Sequence, residues 1–510
     1  MPESVLLRGG TVHSPADPSA TAMLVVDDRI AWVGGEDVAE AHVAAVGSVV
    51  ELDGALVTPA FVDAHVHLTE TGLADEGVEL ADCASLSECL DRVAAHARSR
   101  RGVPVLGHGW DERDWPEARP PTLDEVTRAA GGAVAYLARV DVHSAVVSTA
   151  LVAAVPAIAA ADGYADGLVR REAHHLARRA TRDEITAARR LALQRDTLRR
   201  VAALGIGAVH EIGAPHIAGP EDVRAAIALA ADEPLPDVVA YWGSAGDGVT
   251  IAVELGCAGA AGDLNLDGSL GSRTARLSSP YADAPGERGY LYLSLEDAIE
   301  HVVACTQAGI QAGFHCIGDE AVWTAVTAIA RAAERCGLAE VVAARHRLEH
   351  VEMITNDLID EMARLGVVAS VQPRFDEFWG GSDGMYATRL GSERAGALNP
   401  LAALDRAGVT LAFGSDSPVT PFGGWEAVRA AAYHRTPEHR MTVRAAFAAA
   451  TRGGWRAARV DDAGTIAPGM LASYAVWDVP GLPDLTPGAD LPICLRTVVR
   501  GRTIYDRFAP

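Results

Sequence analysis

The sequence contains no lysine, and all 44 of its lysine-plus-arginine residues are arginine. No mechanism that depends on a lysine side chain is therefore open to this chain. Positive charge is scarce overall, with a formal net charge of −24 spread along the chain. A nucleic-acid or anionic-membrane partner would need clustered cations, so the charge argues against both.

Cysteine and long apolar runs are also sparse. The seven cysteines are scattered without CxxC pairs, which is typical of reduced thiols in a cytoplasmic protein. The N-terminus has no basic start followed by an apolar stretch, and no uninterrupted apolar run has the length of a membrane span. We expect a cytoplasmic enzyme of two or more domains from 510 residues.

The hydrophobic pattern divides the chain into two kinds of structure. Short apolar runs with period-two alternation occupy both termini and predict one small β-sandwich domain from residues 1–58 and 465–510. Between them, short strands alternate with amphipathic helices, which indicates parallel βαβ units. Their number favours a closed (β/α)8 barrel over a doubly wound sheet for residues 59–464, with an elaboration around 70–200.

Histidines and an aspartate follow the predicted barrel strands. They are His65 and His67 in FVDAHVHL, His315 in QAGFHCIGD, His350 in RHRLEH and Asp416 in VTLAFGSD. His65 and His67 are two apart on a strand and share one face. The C-terminal ends of barrel strands carry catalytic groups, so we expect these side chains to meet at the barrel mouth.

Neutral imidazoles with one carboxylate suit Zn²⁺ and leave room for a water, whose pKa the metal lowers. A carboxylate beside that water can take its proton and pass it to a leaving amine, and Asp416 is the candidate for that role. Each motif alone has a structural alternative: packing for the histidine pair, a hydrogen-bonded core position for His315 or His350, and helix capping for GSD. Their common position at strand ends favours the metal site.

Longer stretches resemble a known family. They are LVTPAFVDAHVHL, GHGWDERDWPEARPPTLDEV, VDVHSAVV, DGSLGSRTARLSSPYAD, FHCIGDEAV, RLEHVEMI, VASVQP, FGSDSPV and GTIAPGMLASYAVWD. In this order they resemble the amidohydrolase superfamily, in particular its family 3 branch, which is similar to N-substituted formamide deformylases. The resemblance implies the barrel, a flanking β-domain and metal-assisted hydrolysis, usually of C–N bonds.

The resemblance also assigns roles to individual positions. His65 and His67 match first-strand metal ligands, His315 a fifth-strand ligand, His350 the sixth-strand histidine and Asp416 the eighth-strand acid. His143 matches a histidine that lines the substrate cavity. Trp110 and Asp111 are candidates for the same cavity, with a structural role as the equal alternative.

Two positions depart from the family pattern. Ser473 stands where relatives usually carry aspartate, in the small domain, and we expect little functional effect. Asp263 stands four residues before Asp267, where two-metal relatives carry a carboxylated lysine that bridges the metals. Aspartate is several atoms shorter than that lysine.

The absent lysine favours one metal. We expect one Zn²⁺ held by His65, His67, His315 and Asp416, because two dications would repel each other with less compensating charge. His350 then orients the water or polarises the substrate, and Asp263 accepts a hydrogen bond from the water. The alternative keeps two metals, with His350 as a ligand of the second and Asp263 bridging through a water.

The predicted function is hydrolysis of an amide-like C–N bond of a small molecule by a metal-activated water. Alternatives are a deaminase of a cyclic amidine, a decarboxylase or isomerase on the same scaffold, and a binding protein with a decayed centre. The sequence leaves the oligomeric state open, and the frequency of two-fold oligomers is the one basis for considering a homodimer. The substrate itself is not specified by these motifs.

Overall fold

The computed structural model describes residues 4–183 and 185–508. Its strands are β1 (Ser4–Arg8), β2 (Thr11–Val12), β3 (Ala22–Val26), β4 (Arg29–Gly34), β5 (Ser48–Glu51), β6 (Leu56–Pro59), β7 (Phe61–Val66), β8 (Val78–Glu79), β9 (Val105–Trp110), β10 (Ala135–Arg139), β11 (Ser144–Val147), β12 (Tyr164–Ala165), β13 (Leu168–Arg170), β14 (Ile206–Gly213), β15 (Asp237–Trp242), β16 (Gly259–Ala260), β17 (Gln311–Cys316), β18 (Arg347–His350), β19 (Val368–Val371), β20 (Thr410–Phe413), β21 (Tyr474–Trp477), β22 (Cys494–Val499) and β23 (Arg502–Asp506).

The α-helices are α1 (Glu36–His42), α2 (Leu68–Glu76), α3 (Leu86–Ser99), α4 (Leu123–Ala129), α5 (Thr149–Ala154), α6 (Ala157–Ala160), α7 (Arg171–Arg182), α8 (Ala187–Ala203), α9 (Pro220–Asp232), α10 (Gly248–Leu255), α11 (Leu295–Ala308), α12 (Asp319–Cys336), α13 (Leu338–Ala344), α14 (Asn356–Leu365), α15 (Pro373–Trp379), α16 (Met385–Leu390), α17 (Ser392–Ala395), α18 (Leu401–Arg406), α19 (Gly424–Ala432), α20 (Val443–Ala448) and α21 (Gly454–Ala457). In the described ranges, none of the helices combines the length and apolarity needed to cross a bilayer.

A closed parallel barrel forms the centre of the molecule. Within the described residues, eight strands follow the order β7, β14, β15, β16, β17, β18, β19 and β20. Their burial is nearly continuous, as expected when helices cover a parallel sheet. The ring closes between the first and last strands, where the Asp416 amide donates to the His65 carbonyl at 2.8 Å. The predicted (β/α)8 barrel is confirmed.

The two termini form a second, smaller β-structure. One sheet has the order β4, β3, β1, β5, and the other has the order β2, β6, β21, β22, β23, so the second mixes strands from both ends of the chain. Leu7 and Met23 from the first sheet share one core with Val57, Tyr474 and Val498 from the second. This packing confirms the predicted β-sandwich fold, whereas the domain limits at residues 58 and 465 stay a prediction.

The chain between the first two barrel strands builds an additional sheet. Its order in the described residues is β12, β13, β11, β10, β9, β8, and α7 packs beside it. Local sequence signals start its helices: Ser85 caps α3, and Thr122 with Glu125 forms a capping box on α4. This sheet brings His108, Asp111 and His143 toward the barrel mouth.

Candidate metal centre

Five predicted residues and Asp263 lie at one end of the barrel. His65 is in the first strand and His67 follows it directly. The others follow in strand order: Asp263 after the fourth strand, His315 in the fifth, His350 at the end of the sixth and Asp416 after the eighth. All are buried except Asp263, whose side chain is 13% exposed.

Two carboxylates face the histidine pair. The distance from Asp416 Oδ1 to His65 Nε2 is 3.4 Å, and to His67 Nε2 it is 3.2 Å. Asp263 places Oδ1 3.5 Å from His65 Nε2 and Oδ2 3.4 Å from His67 Nε2. Ligand atoms about 2.0–2.1 Å from a tetrahedral cation are about 3.4 Å apart, so each carboxylate has the spacing of a co-ligand to the two histidines. The ligand atoms of His65, His67 and Asp416 lie within 4.8 Å of one another, and so do those of His65, Asp263 and His350.

Each of three histidines has its Nδ1 atom engaged outside the centre. His65 Nδ1 lies 2.9 Å from Glu349 Oε2, His67 Nδ1 2.9 Å from the Ile212 carbonyl, and His350 Nδ1 2.8 Å from Gln372 Oε1. Each partner is an acceptor, so Nδ1 carries a proton and Nε2 is the ring nitrogen that faces the centre.

Several inward atoms are buried without a hydrogen-bond partner in the described part of the chain. They are His65 Nε2, His350 Nε2, both ring nitrogens of His315, and Asp263 Oδ1. Buried polar atoms without partners are costly, and lone pairs converging with carboxylates are what a cation satisfies. The residues therefore fit a divalent metal ion.

Acidic surroundings dominate the electrostatics of His65. Burial favours its neutral form, but Asp416, Glu349 and Asp263 outweigh burial and raise the pKa of His65 to about 9. A bound cation would take the place of the His65 proton that these carboxylates stabilise. Burial, with the nearby His315 and His65, lowers the pKa of His350, which keeps that ring neutral and its Nε2 an acceptor.

The sequence patterns did not predict a buried ion pair that lies beneath the centre. Arg347 donates to both oxygens of Glu349 at 2.6 and 2.8 Å, and Glu349 in turn holds His65. Arg347 also donates to the Ala64 carbonyl at 2.9 Å. The available signal was the alternation in RLEH, where two charged residues share one face of a buried strand.

The backbone is constrained where two site residues leave their strands. His350 has φ 70° and Asp416 has φ 56°, both in the left-handed region. Each such non-glycine residue costs roughly 1–3 kcal/mol and persists where surrounding contacts hold it. Strand-end hydrogen bonds supply those contacts, from Val351 N to the Cys316 carbonyl and from Asp416 N to the His65 carbonyl.

His315 lies beside the four-residue cluster rather than within it. Its ring centroid is 4.4 Å from that of His350 and 5.0 Å from that of His143. Its Nδ1 atom is 3.6 Å from Asp267 Oδ1. Asp263 thus lies at ligand distance from His65 and His67, whereas His315 with His143 forms the adjoining wall; the role of His315 as a metal ligand stays a prediction.

The remaining predicted residues lie in different parts of the molecule. Asp111 lines a cavity of about 800 Å³ that also contacts Ser417, next to Asp416. Trp110 is not among the described residues that line this cavity; its indole donates to the Leu137 carbonyl at 2.8 Å, and its ring packs with Trp115. Ser473 accepts from the Arg500 amide within the terminal β-structure.

Comparison with known proteins identifies the family of the chain. A sequence profile described as "Amidohydrolase family" matches residues 48–505. The chain belongs to the amidohydrolase family. This match confirms the predicted family 3 branch and with it a metal-dependent hydrolase scaffold.

Individual proteins align with the chain at moderate identity. Protein LONG AFTER FAR-RED 3 of Arabidopsis thaliana is 25% identical over 98% of this chain and 91% of its own length. N-substituted formamide deformylase of Arthrobacter pascens is 31% identical over 26% of this chain and 25% of its own. An uncharacterized metal-dependent hydrolase from Pyrococcus furiosus superposes with TM-score 0.73 at 25% identity, covering 94% of this chain and 99% of that one.

Metal stoichiometry provides the first prediction. Metal-replete protein is expected to hold about one divalent ion per chain, because the short Asp263 side chain lies at ligand distance from His65 and His67 and no lysine is present to form a bridging carbamate. Elemental analysis with and without added bicarbonate measures this ratio. Two ions per chain, with His350 coordinated in an anomalous-scattering map, would contradict it.

Proposed function

We propose that this chain hydrolyses an amide-like C–N bond of a small molecule, with Zn²⁺ as its metal. The observation that carries the proposal is the pair of carboxylates that face His65 and His67, with Asp416 at 3.2–3.4 Å and Asp263 at 3.4–3.5 Å from the Nε2 atoms. A cation held there would supply Lewis acidity and lower the pKa of a water. The relative from Arthrobacter pascens is an N-substituted formamide deformylase, which supports an amide-like C–N bond as the one cleaved.

The side chains divide the remaining work. Asp416 accepts the proton of the attacking water and passes it to the leaving amine, as a general base and then an acid. His350 accepts a hydrogen bond from that water through its Nε2 lone pair and so orients it. This role replaces donation to a substrate carbonyl, because the His350 Nδ1 proton is directed to Gln372.

The surroundings support several further proposals. His143 and Asp111 contact the substrate beyond the reacting bond. The described cysteines are all free, which supports a reducing, cytoplasmic location. The net charge of −24 supports a small-molecule substrate rather than nucleic acid. A homodimer is proposed only from the frequency of two-fold oligomers.

Product analysis tests the proposed reaction. Zinc-loaded protein is incubated with a panel of N-substituted formamides, N-acyl amines and cyclic amidines, and products are identified by mass spectrometry. The expected result is an amine and a carboxylate in equal amounts. Ammonia released from a cyclic amidine alone, carbon dioxide as the product, or no turnover at full metal content would each overturn C–N amide hydrolysis.

A further inference from the structure

Two buried arginines share one carboxylate beside the metal centre. Arg182 takes both oxygens of Glu70, with N–O distances of 2.8 and 2.6 Å. Arg178 Nη2 lies 3.2 Å from Glu70 Oε2, an oxygen that Arg182 also contacts. The side chains of Arg178 and Glu70 are each 7% exposed. Among the described residues, Glu70 is the one carboxylate that pairs with either arginine.

The charges in this cluster do not balance. Burial opposes ionisation of Glu70, but Arg182 and Arg178 outweigh it and lower the pKa of Glu70 to about 2, so its charge is −1 at neutral pH. Each arginine guanidinium group carries one positive charge. Among the described residues, the ion pairs of this cluster thus join two guanidinium groups to one carboxylate, and a buried charge without a full partner is costly.

A small cavity lies against this cluster. Its volume is about 20 Å³, and Arg178, Arg182, Glu70, His108 and Tyr136 contribute to its wall. A volume of roughly 10–15 Å³ suffices for one water-sized atom. His108 Nε2 is buried there without a hydrogen-bond partner in the described part of the chain. The cavity thus admits one oxygen atom and offers it a cation and a ring nitrogen.

The small cavity leads toward the proposed reaction centre. Ala74, His108 and Pro418 belong both to its wall and to the wall of the 800 Å³ cavity. Pro418 is two residues after Asp416, and Glu70 is three residues after His67 in the first turn of α2. The larger cavity presents aromatic surface from Phe378, Trp379 and Phe422.

We propose that Arg178 binds an anionic oxygen of the substrate, so that the substrate is an amide with an apolar or aromatic body and a carboxylate. This inference rests on the proposed hydrolysis and adds a substrate class to it. The carboxylate oxygen enters the small cavity at Arg178, and the apolar body lies in the larger cavity. The ion pair between Arg178 and the substrate carboxylate would give each of the two arginines a carboxylate of its own and so neutralise the cluster.

Binding without turnover tests this assignment. Zinc-loaded protein is titrated calorimetrically with 4-phenylbutanoate and with the neutral 4-phenylbutan-1-ol, which share one body. The expected preference for the anion is about 10- to 100-fold, the scale of a hydrogen-bonded charge pair. Arg178→Gln is expected to reduce that preference to about one, while Arg195→Gln, which breaks a half-exposed pair with Glu233, retains it.

The outcomes separate the sources of an anion preference. A preference that survives Arg178→Gln would assign the carboxylate to the metal and overturn the proposal. Equal binding of both probes to the native protein would also overturn it, whether or not the variant folds. Loss of the preference in chloride, with chloride itself binding at Arg178, would assign the site to a free inorganic anion. Because no turnover is needed, a failure of the proposed hydrolysis leaves this result readable.

Discussion

The Asp416→Asn variant is expected to lose roughly two to four orders of magnitude in kcat, the scale of a general acid–base group. Asparagine keeps the shape of the side chain but cannot accept a proton from water. The Asp416 carboxylate lies 3.2–3.4 Å from the Nε2 atoms of His65 and His67, so it is also placed to hold metal. Steady-state kinetics on an identified substrate measures the effect.

Metal content must be measured alongside activity for this variant. Elemental analysis distinguishes lost proton transfer from lost metal, because only the first leaves the metal ratio unchanged. Asp405→Asn is the matched control, since Asp405 is exposed on α18 and contacts none of the site residues. An Asp416→Asn protein that keeps most of its activity at full metal content would remove Asp416 from the proton-transfer step.

Replacing His65 and His67 together with alanine is expected to abolish metal binding without unfolding the barrel. The change removes two of the four converging ligands, while Glu349 keeps its ion pair with Arg347 and is not left unpaired. Elemental analysis should show less than about a tenth of the native metal content, and circular dichroism should show native helix content. The Tm is expected to fall, since a ligand that binds only the folded state stabilises it.

A second double variant controls for the loss of two histidines. His42 and His439 are half-buried and lie in α1 and in the 437–439 turn. Their rings pack against Trp32 and His434, which are not residues of the metal centre. Their replacement by alanine should leave metal content unchanged. Native metal content in a folded His65→Ala, His67→Ala protein would show that the metal is held elsewhere.

Much of the fold and part of the centre followed from local patterns. Alternating strands and helices predicted the barrel, and the placement of His65, His67, His350 and Asp416 at strand ends predicted one shared mouth. These inferences succeed because strand periodicity and parallel direction are properties of short segments. The order of the strands then brings their C-terminal ends together without further information.

The remaining features depended on distances across the barrel. Asp263 reaches both histidines despite its short side chain, whereas His315 stands beside the cluster and Trp110 packs in the core of the additional sheet. The sequence by itself determined which residue types reach the mouth and that no lysine is available there. Only the tertiary structure decided which of them lie at ligand distance from one another, because strand tilt and loop path set side-chain separations to within an ångström and no local pattern records them.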